Sequence, residues 1–462
     1  MIVPRSRLLF FVALVALPLT LVAAVEPAMT LPALIGIGVL ALIVLLDGLR
    51  ASSGIRGLGI LLDPIVRMSK DRPVTLEMRI RNEPLHARTV RVAIGLPSEI
   101  RPEEEELSIT LPAGAEWSRV PWKCVPLQRG RFRVESAYVE GRSPLGLWAA
   151  RKRVDIDSEL RVYPNLMTER RNLAALFLNR GGFGLHAQRQ VGKGRDFEKL
   201  RDYSPGDSFD DIHWKATARR GRPVTKVFQV ERTQEVYVVI DASRLSARRP
   251  LNAAAVGDSE KSPGHSRGES SRSSDSILER FVTAALVLGL AAEQQGDLFG
   301  LLTFSDRVDR FVRARNGKAH YSACRDTLYT LQARNVTPDF DELCTFIRLR
   351  LRRRALIVFL TSLDDPTLAE GFVGNVELIR RQHLVLVGMI QPPGTRPLFS
   401  TEGIDSADAL YEELGGHLQW ARLQEVGKTL QRQGVRFALM QNERLSSEVI
   451  TQYLNIKRRQ LL

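Results

Sequence analysis

The stretch Glu235-Val-Tyr-Val-Val-Ile-Asp-Ala-Ser243 decides how the second half of this chain folds. Its apolar run, Val236 to Ile240, is typical of a strand that is buried on both faces of a sheet. Asp241 and Ser243 then place a carboxylate and a hydroxyl at the carboxyl end of that strand. Oxygen ligands of this kind suit a hard divalent cation such as Mg²⁺. The stretch therefore predicts an α/β domain with a candidate metal site at the edge of its sheet.

Apolar strands and amphipathic helices alternate from this stretch to the end of the chain. Continuous apolar runs such as Leu356–Leu360 and Leu384–Val387 predict further strands that are covered on both faces. The other predicted elements are strands 297–304, 308–313 and 435–440 and helices 277–294, 319–332, 339–352, 367–382, 419–433 and 444–460. This order predicts a doubly wound α/β domain over residues 235–462.

An insert separates the first strand of this domain from its first helix. Residues 247–276 are rich in Ser, Gly, Arg and Asp and contain almost no large apolar side chains. Such a segment cannot bury enough apolar surface to offset its own ordering entropy. We therefore predict a disordered insert at the sheet edge where open α/β folds bind ligands.

A dense block of charged and aromatic residues precedes the first strand. It reads Gly192-Lys-Gly-Arg-Asp-Phe-Glu-Lys-Leu-Arg-Asp-Tyr-Ser-Pro-Gly-Asp207, and then Ile212-His-Trp-Lys-Ala-Thr-Ala-Arg219. The block resembles the signature of the bacterial DUF58 family (domain of unknown function 58), which precedes a strand like that of a von Willebrand factor A (vWA) domain. The resemblance implies a vWA-like fold for the α/β domain. The chain departs from the family pattern at His213, where the family usually has Asp.

The candidate site residues of this block are Arg201, Asp202, Asp207, Trp214, Lys215 and Arg219. Helix-capping chemistry accounts for part of the pattern, since acidic residues begin a short helix and basic residues end it before Gly221. It does not explain why these charged and aromatic side chains cluster. Two interpretations stay open: a buried ion-pair hinge between two domains, which we favour, and a surface that binds a partner.

The resemblance to vWA domains also implies a ligand set for the metal site. A complete site takes Asp-x-Ser-x-Ser from one loop, Thr from a second loop and Asp from a third. The residues that match are Asp241, Ser243 and Thr337. Leu245 stands where the second Ser is expected, and Ser362 stands where the Asp is expected, with Asp364 and Asp365 two residues late. We therefore expect weak binding of Mg²⁺ or another divalent cation at most, with Asp241 and Ser243 satisfying loop amides instead.

The N-terminus holds two apolar stretches, Leu8–Val25 and Leu31–Leu46, each close to the ~20 residues that span a bilayer as a helix. Arg5 and Arg7 precede the first stretch, basic residues follow the second, and none lies between them. The two stretches therefore predict a transmembrane hairpin, and the positive-inside rule predicts that the soluble body lies in the cytoplasm. The resemblance to the bacterial DUF58 family implies that the membrane is the bacterial inner membrane. The alternative is a cleavable signal peptide that ends at Ala23-Ala24.

Between the hairpin and the signature block, residues 58–165 alternate short apolar runs with turns. Alternation with a period of two, as in Val74–Ile80 and Val90–Ile94, predicts a small antiparallel β-sandwich. The fold class is thus α/β, with an N-terminal transmembrane hairpin, a β-sandwich, a linker carrying the signature block over 166–234, and the C-terminal α/β domain.

Charge and cysteine content narrow the functional classes. The formal net charge is +14, with a basic cluster at residues 348–354. We interpret this excess as a solvated surface and attraction to anionic lipid rather than as a nucleic-acid interface. The three cysteines have no metal-ligand or disulfide spacing, and no motif of a nucleotide-binding loop or a nucleophilic enzyme is present in the sequence.

These observations predict a non-enzymatic, membrane-anchored interaction protein. The resemblance to the DUF58 family further implies a MoxR-type AAA+ ATPase as partner and a role in the assembly or maturation of other proteins. A metal-dependent ligand-binding vWA protein is the first alternative, and an unrecognised enzyme is the second.

Overall fold

The structure, a computed structural model, describes residues 1–179, 191–205, 207–229, 234–249, 275–400 and 406–459. The chain divides into two compact units, Met1–Asn165 and Leu166–Leu462. The first unit contains two apolar helical segments and two β-sheets. The second unit contains the signature block and a six-stranded mixed β-sheet with helices on both faces.

Two helical segments at the N-terminus are long and apolar enough to cross a membrane, Ser6–Val25 and Pro27–Ile55. The first consists of α1 (Ser6–Phe11), a π-helical turn (Val12–Ala16) and α2 (Leu17–Val25), and the second is mainly α3 (Thr30–Arg50). The π-helical turn ends two residues before Pro18, whose missing N–H interrupts the regular helical hydrogen bonding.

Two β-sheets share one apolar core in the first unit. Their strands are β1 (Ile2–Pro4), β2 (Leu58–Leu61), β3 (Ile65–Ser69), β4 (Val74–Asn82), β5 (Arg88–Ile94), β6 (Ile100–Pro102), β7 (Leu107–Leu111), β8 (Trp117–Pro126), β9 (Gly130–Arg142) and β10 (Trp148–Tyr163). One sheet has the order β1-β10-β9-β5-β7 with β3 beside β10, and the other has the order β2-β4-β8-β6. Buried side chains alternate along β4 and β5, as the period of two predicts. The predicted antiparallel pairing is confirmed except for β3, which runs parallel to β10.

The second unit begins with a helix and the signature block. Its elements there are α4 (Met167–Asn179), β11 (Val191–Asp202), α5 (Trp214–Arg220) and β12 (Val224–Gln229), with β11 and β12 forming an antiparallel pair. The larger sheet that follows has the order β15-β14-β13-β16-β17-β18, in which β15 alone is antiparallel to its neighbour among the described strands.

Helices cover both faces of this sheet. The strands are β13 (Glu235–Asp241), β14 (Leu298–Phe304), β15 (Val308–Arg315), β16 (Ala355–Leu360), β17 (Leu384–Ile390) and β18 (Arg436–Met440); the helices are α6 (Ile277–Gln294), α7 (Lys318–Leu328), α8 (Phe340–Arg350), α9 (Pro366–Arg380), α10 (Ala407–Arg432) and α11 (Leu445–Arg458). Buried residues of α6, α7 and α11 pack on one face, and those of α8, α9 and α10 pack on the other. The central strands are therefore buried on both sides, as their continuous apolar runs predict.

One helix is longer than its sequence pattern predicts. Helix α10 begins at Ala407 rather than near residue 419, because the Ser406 hydroxyl caps it by accepting a hydrogen bond from the Ala409 amide at 3.1 Å. Its first turns leave Leu410 and Leu414 exposed, so they lack the buried apolar stripe by which a helix is recognised. Most of the predicted insert, residues 250–274, lies outside the described residues.

Candidate functional site

The carboxyl ends of the central strands β13, β14 and β16 meet at one edge of the larger sheet. Asp241 ends β13, and Thr361 directly follows β16 beside it. We call the loops that leave this edge, with Asp241 at their centre, the Asp241 corner. In open α/β sheets this edge is where ligands bind.

The Asp241 carboxylate is 0% exposed and is held by two donors. The Ser243 amide donates to Oδ1 at 2.8 Å, and the Thr361 hydroxyl donates to Oδ2 at 2.6 Å. The Ser243 hydroxyl in turn accepts from the Leu245 amide at 3.3 Å. Burial raises the pKa of Asp241, against the opposing effect of these hydrogen bonds. The carboxylate and the hydroxyl therefore support their own loop.

Thr337 lies in the neighbouring loop. That loop contacts the Asp241 corner through its backbone, since the Arg244 amide donates to the Val336 carbonyl at 3.0 Å. The Thr337 side chain is exposed and lines a cavity of about 380 Å³ together with Asp306, Asp339 and Asp341. Within the described residues its hydroxyl makes no hydrogen bond to Asp241 or Ser243, so the three predicted metal ligands are not joined into one hydrogen-bonded set.

Four other acidic residues around the corner have partners. Asp364 forms an ion pair with Arg248. Asp365 instead caps α9, accepting from the Thr367 amide at 3.0 Å. Asp306 and Asp309 both pair with Arg334, at 2.9 Å and 3.2 Å. Across the described parts of the chain, no group of three or more His, Cys, Asp or Glu side chains is arranged to hold a metal ion.

The charged residues of the signature block form two separate ion pairs. Arg201 pairs with Asp207 at 2.6 Å, and Asp202 pairs instead with Arg222 at 3.2 Å. Asp207 also accepts from the Ser204 amide at 3.0 Å, and this bond, followed by that from Arg201, lowers its pKa. Asp207 thereby stabilises the turn that follows β11.

The remaining signature residues lie on or beside α5. His213, which replaces the family's Asp, caps the helix in its place: its Nδ1 accepts from the Ala216 amide at 3.1 Å. Trp214 is 68% exposed, and Phe209 just before the helix is 72% exposed. Lys215 and Arg219 are exposed as well. Among these side chains, the aromatic ones and arginine are of types that are enriched at protein interfaces.

The structure also brings together a cysteine and a histidine that the sequence analysis did not single out. Cys324 Sγ lies 3.6 Å from His320 Nε2, one helical turn away on α7. The same nitrogen lies 2.8 Å from the Phe299 carbonyl, to which it must donate, so it has no lone pair left for the thiol. Burial raises the pKa of Cys324 to about 11. The pair is therefore unsuited to nucleophilic catalysis, which requires an accessible thiolate.

A second buried aspartate, Asp47, was missed by the sequence analysis. It lies near the end of α3 and is only 3% exposed. Its carboxylate accepts from the Ser143 hydroxyl at 2.6 Å and from the amides of Leu145 and Leu147 at 2.9 Å and 3.2 Å. The sequence does contain a signal, because Asp47 directly follows the apolar stretch Leu31–Leu46. An acidic side chain in or near a membrane span is energetically costly and therefore usually has a defined role.

Comparison with known families agrees with the signature block. Residues 199–254 and 261–396 match the model of a family described as "Protein of unknown function DUF58". This match supports the assignment of the region 199–396 to the DUF58 family. The resemblance inferred from the signature is thereby confirmed. Among curated proteins, none is significantly similar to this DUF58 chain.

Solved structures give only distant similarities to this DUF58 protein. Proximal thread matrix protein 1 from the mussel byssus is 12% identical, with a TM-score of 0.25, and the match covers 48% of this chain and 44% of that one. A structure of the same mussel protein with a zinc-occupied MIDAS motif has a TM-score of 0.21 at 13% identity, covering 34% and 36%. The CARDB domain of the PF1109 protein from Pyrococcus furiosus, in complex with di-metal ions, has a TM-score of 0.15 at 9% identity, covering 23% and 91%. Scores this low carry no argument about this chain.

Proposed function

We propose that this DUF58 protein is a membrane-anchored cytoplasmic adapter whose vWA-like α/β domain has lost its metal site. In this proposal a MoxR-type AAA+ ATPase is the partner, and the pair acts in the assembly or maturation of other proteins. The observation that carries the proposal is the Asp241 corner, where loop donors engage the buried Asp241 carboxylate and Arg248 pairs with Asp364.

The N-terminal strand favours a retained membrane hairpin over a cleaved signal peptide. β1 precedes the first apolar helix and pairs with β10 over Ile2–Pro4. The Met1 amino group also donates to the Arg151 carbonyl at 3.1 Å. Cleavage after the first helix would remove a strand from the sheet. A reporter that is active only in the periplasm, fused after Leu462, should therefore stay silent, whereas activity would overturn the proposed topology.

The exposed surface of the signature block is our candidate for the contact with the ATPase. Phe209 and Trp214 present two aromatic side chains to solvent beside Lys215 and Arg219. Aromatic and arginine side chains supply most of the binding energy in typical interfaces. The Asp241 corner offers fewer free charged groups, because Asp241, Asp364 and Asp365 are engaged by donors of the chain itself.

Co-purification from native membranes tests the adapter proposal. The double variant Phe209→Ala and Trp214→Ala should lose the ATPase, at a cost of about 2 kcal/mol or more per buried aromatic anchor. Tyr411→Ala, which removes an exposed aromatic from α10 in the same unit, is the matched control and should retain it. If no ATPase co-purifies with the unaltered protein, the adapter proposal is wrong.

One observation favours a second candidate, a metal-dependent ligand-binding protein. The fully buried Asp241 carboxylate pairs with no Lys or Arg side chain among the described residues. A cation that replaced the Thr361 hydroxyl would compensate that charge. Titration with Mg²⁺ separates the two candidates, since only the second requires binding that depends on Asp241.

A further inference from the structure

The first apolar helix begins, and the second ends, beside one turn of the β-sheets. This turn, Ser143–Trp148, connects β9 to β10. The Arg5 amide, just before α1, donates to the Leu147 carbonyl of this turn at 3.0 Å. Asp47 holds the same turn from the last part of α3. The start of the first helix and the end of the second therefore meet here. We call this turn, with the adjoining ends of the helices, the junction.

Three arginines surround the junction, Arg5, Arg7 and Arg142. The Arg7 guanidinium lies against the turn, since a Cβ added at Gly146 would be 3.5 Å from its Nη1. Arg142 immediately precedes the turn and is exposed. Burial lowers the pKa of Arg5, and the nearby charges of Arg142 and Arg7 lower it further. Three guanidinium groups are thus gathered where both helices leave the sheets.

The described carboxylates near the junction do not pair with these arginines, since Asp47 accepts from Ser143, Leu145 and Leu147 instead. None of the three arginines forms an ion pair within the described residues. The carboxylate that acts on Arg5 is that of Glu140, and it is already paired with Arg151 at 2.8 Å. The gathered positive charge is therefore available to an anion from outside the chain.

Apolar side chains stand beside this charge. Leu145, at the apex of the turn, is 57% exposed. The half-buried Trp148 donates from its indole Nε1 to the Val44 carbonyl of α3 at 2.9 Å. Trp148 lies on β10 and contacts the last part of α3. Tryptophan side chains are typical of the boundary between membrane and water. The junction therefore combines cationic groups with an exposed apolar tip beside the start of the first apolar helix and the end of the second.

We propose that the junction binds the headgroup of an anionic phospholipid, with Arg5, Arg7 and Arg142 contacting its phosphate and Leu145 inserted among the first acyl carbons. The proposal rests on the membrane anchoring proposed above. Guanidinium groups match phosphate geometry by donating paired N–H bonds. Each basic residue close to an anionic leaflet also strengthens binding several-fold.

The test uses the full-length protein in nanodiscs of phosphatidylcholine that contain a minor fraction of phosphatidylglycerol. Mass spectrometry of the lipids that remain bound after detergent extraction gives the enrichment of phosphatidylglycerol. The triple variant Arg5→Gln, Arg7→Gln and Arg142→Gln should reduce that enrichment roughly ten-fold or more.

The matched control removes three exposed arginines from the same unit, by Arg72→Gln, Arg101→Gln and Arg133→Gln. Arg133 lies on β9 nine residues before Arg142, which corresponds to about 30 Å along an extended strand. The control variant should keep the enrichment of the unaltered protein. Equal losses in both variants would show a response to total charge, and no loss in the junction variant would show that these arginines do not bind the lipid. Either result would overturn the proposal.

Two further measurements test whether the junction binds free phosphate instead of lipid, and whether the protein is anchored in the membrane at all. If millimolar inorganic phosphate abolishes the enrichment, the junction binds free phosphate and the assignment to lipid is wrong. Carbonate extraction of native membranes tests the anchoring itself. Release of the unaltered protein there would refute the anchoring, whereas retention without phosphatidylglycerol enrichment would refute only the lipid site.

Discussion

Asp47 of the first unit and Asp241 of the second are both buried, and they show how the same local chemistry can have different roles. Asp47 and Asp241 each accept a short hydrogen bond of 2.6 Å from a hydroxyl and at least one more from a backbone amide. Asp47 lies on an apolar helix and binds a turn of a β-sheet, so it joins two different elements. Asp241 ends a strand and accepts hydrogen bonds from two loops, so it holds these loops together at the edge of the sheet. Burial with satisfied donors therefore joins a helix to a turn in one case and, in our proposal, replaces metal binding in the other.

The comparison predicts that removal of Asp47 has the largest effect. Asp47→Ala leaves the Ser143 hydroxyl and two buried amides without their acceptor, which should destabilise the first unit by about 3 kcal/mol. Thermal unfolding in detergent should show the loss, and hydrogen exchange of the peptide 143–148 should accelerate. Asp155→Ala, at an exposed position of the same unit, should change stability by less than about 0.5 kcal/mol. Unchanged exchange at the turn would contradict the joining role of Asp47.

The next prediction concerns the donor that closes the Asp241 corner. Thr361→Val removes the hydroxyl that binds the buried carboxylate and should destabilise the second unit by about 2 kcal/mol. Thr303 offers a matched control, because its hydroxyl is equally buried and has no hydrogen-bond partner within the described residues. Thr303→Val should therefore be neutral or stabilising. Denaturant unfolding of both variants measures the difference, and equal losses would show that the Thr361 hydroxyl has no special role.

The pH dependence of stability sharpens the contrast further. Burial raises the pKa of Asp241, so the folded protein keeps this proton at pH values where the unfolded chain has released it. Stability contributed by the protonated group is complete below the unfolded pKa of about 4 and is lost as pH rises through the higher folded pKa. Asp241→Asn cannot ionise, so its stability relative to the unaltered protein should increase with pH across that window. A difference that stays constant with pH would contradict this account.

The sequence predicted local features better than the residues that meet across the fold. The apolar runs Leu356–Leu360 and Leu384–Val387 predicted the central strands, because burial on both faces leaves a continuous pattern. The departures from the vWA metal motif at Leu245 and Ser362 are also read from fixed positions in the sequence, and the weak metal binding that they imply stays a prediction. The contact of Asp47 with Ser143 spans 96 residues, and no local pattern records which turn will approach a helix end.

The charge around the Asp241 corner illustrates the same limit. Asp364 was expected as a late substitute for a metal ligand, but it pairs with Arg248, 116 residues earlier in the chain. That arginine begins a segment whose composition gave no hint of a partner. Its removal should have a small effect: Arg248→Gln frees the Asp364 carboxylate and should strengthen Mg²⁺ binding by less than about ten-fold, since one added carboxylate does not complete a site for a reluctantly dehydrated ion.

Titration calorimetry of the unaltered protein with Mg²⁺ tests the central claim most directly, namely that the Asp241 corner is closed to metal. The account predicts no saturable binding below the millimolar range, because the Asp241 oxygens are taken by Ser243 and Thr361. Asp241→Ala should then leave the titration unchanged. Micromolar binding that Asp241→Ala abolishes would contradict the claim and would identify a metal-dependent ligand-binding protein instead.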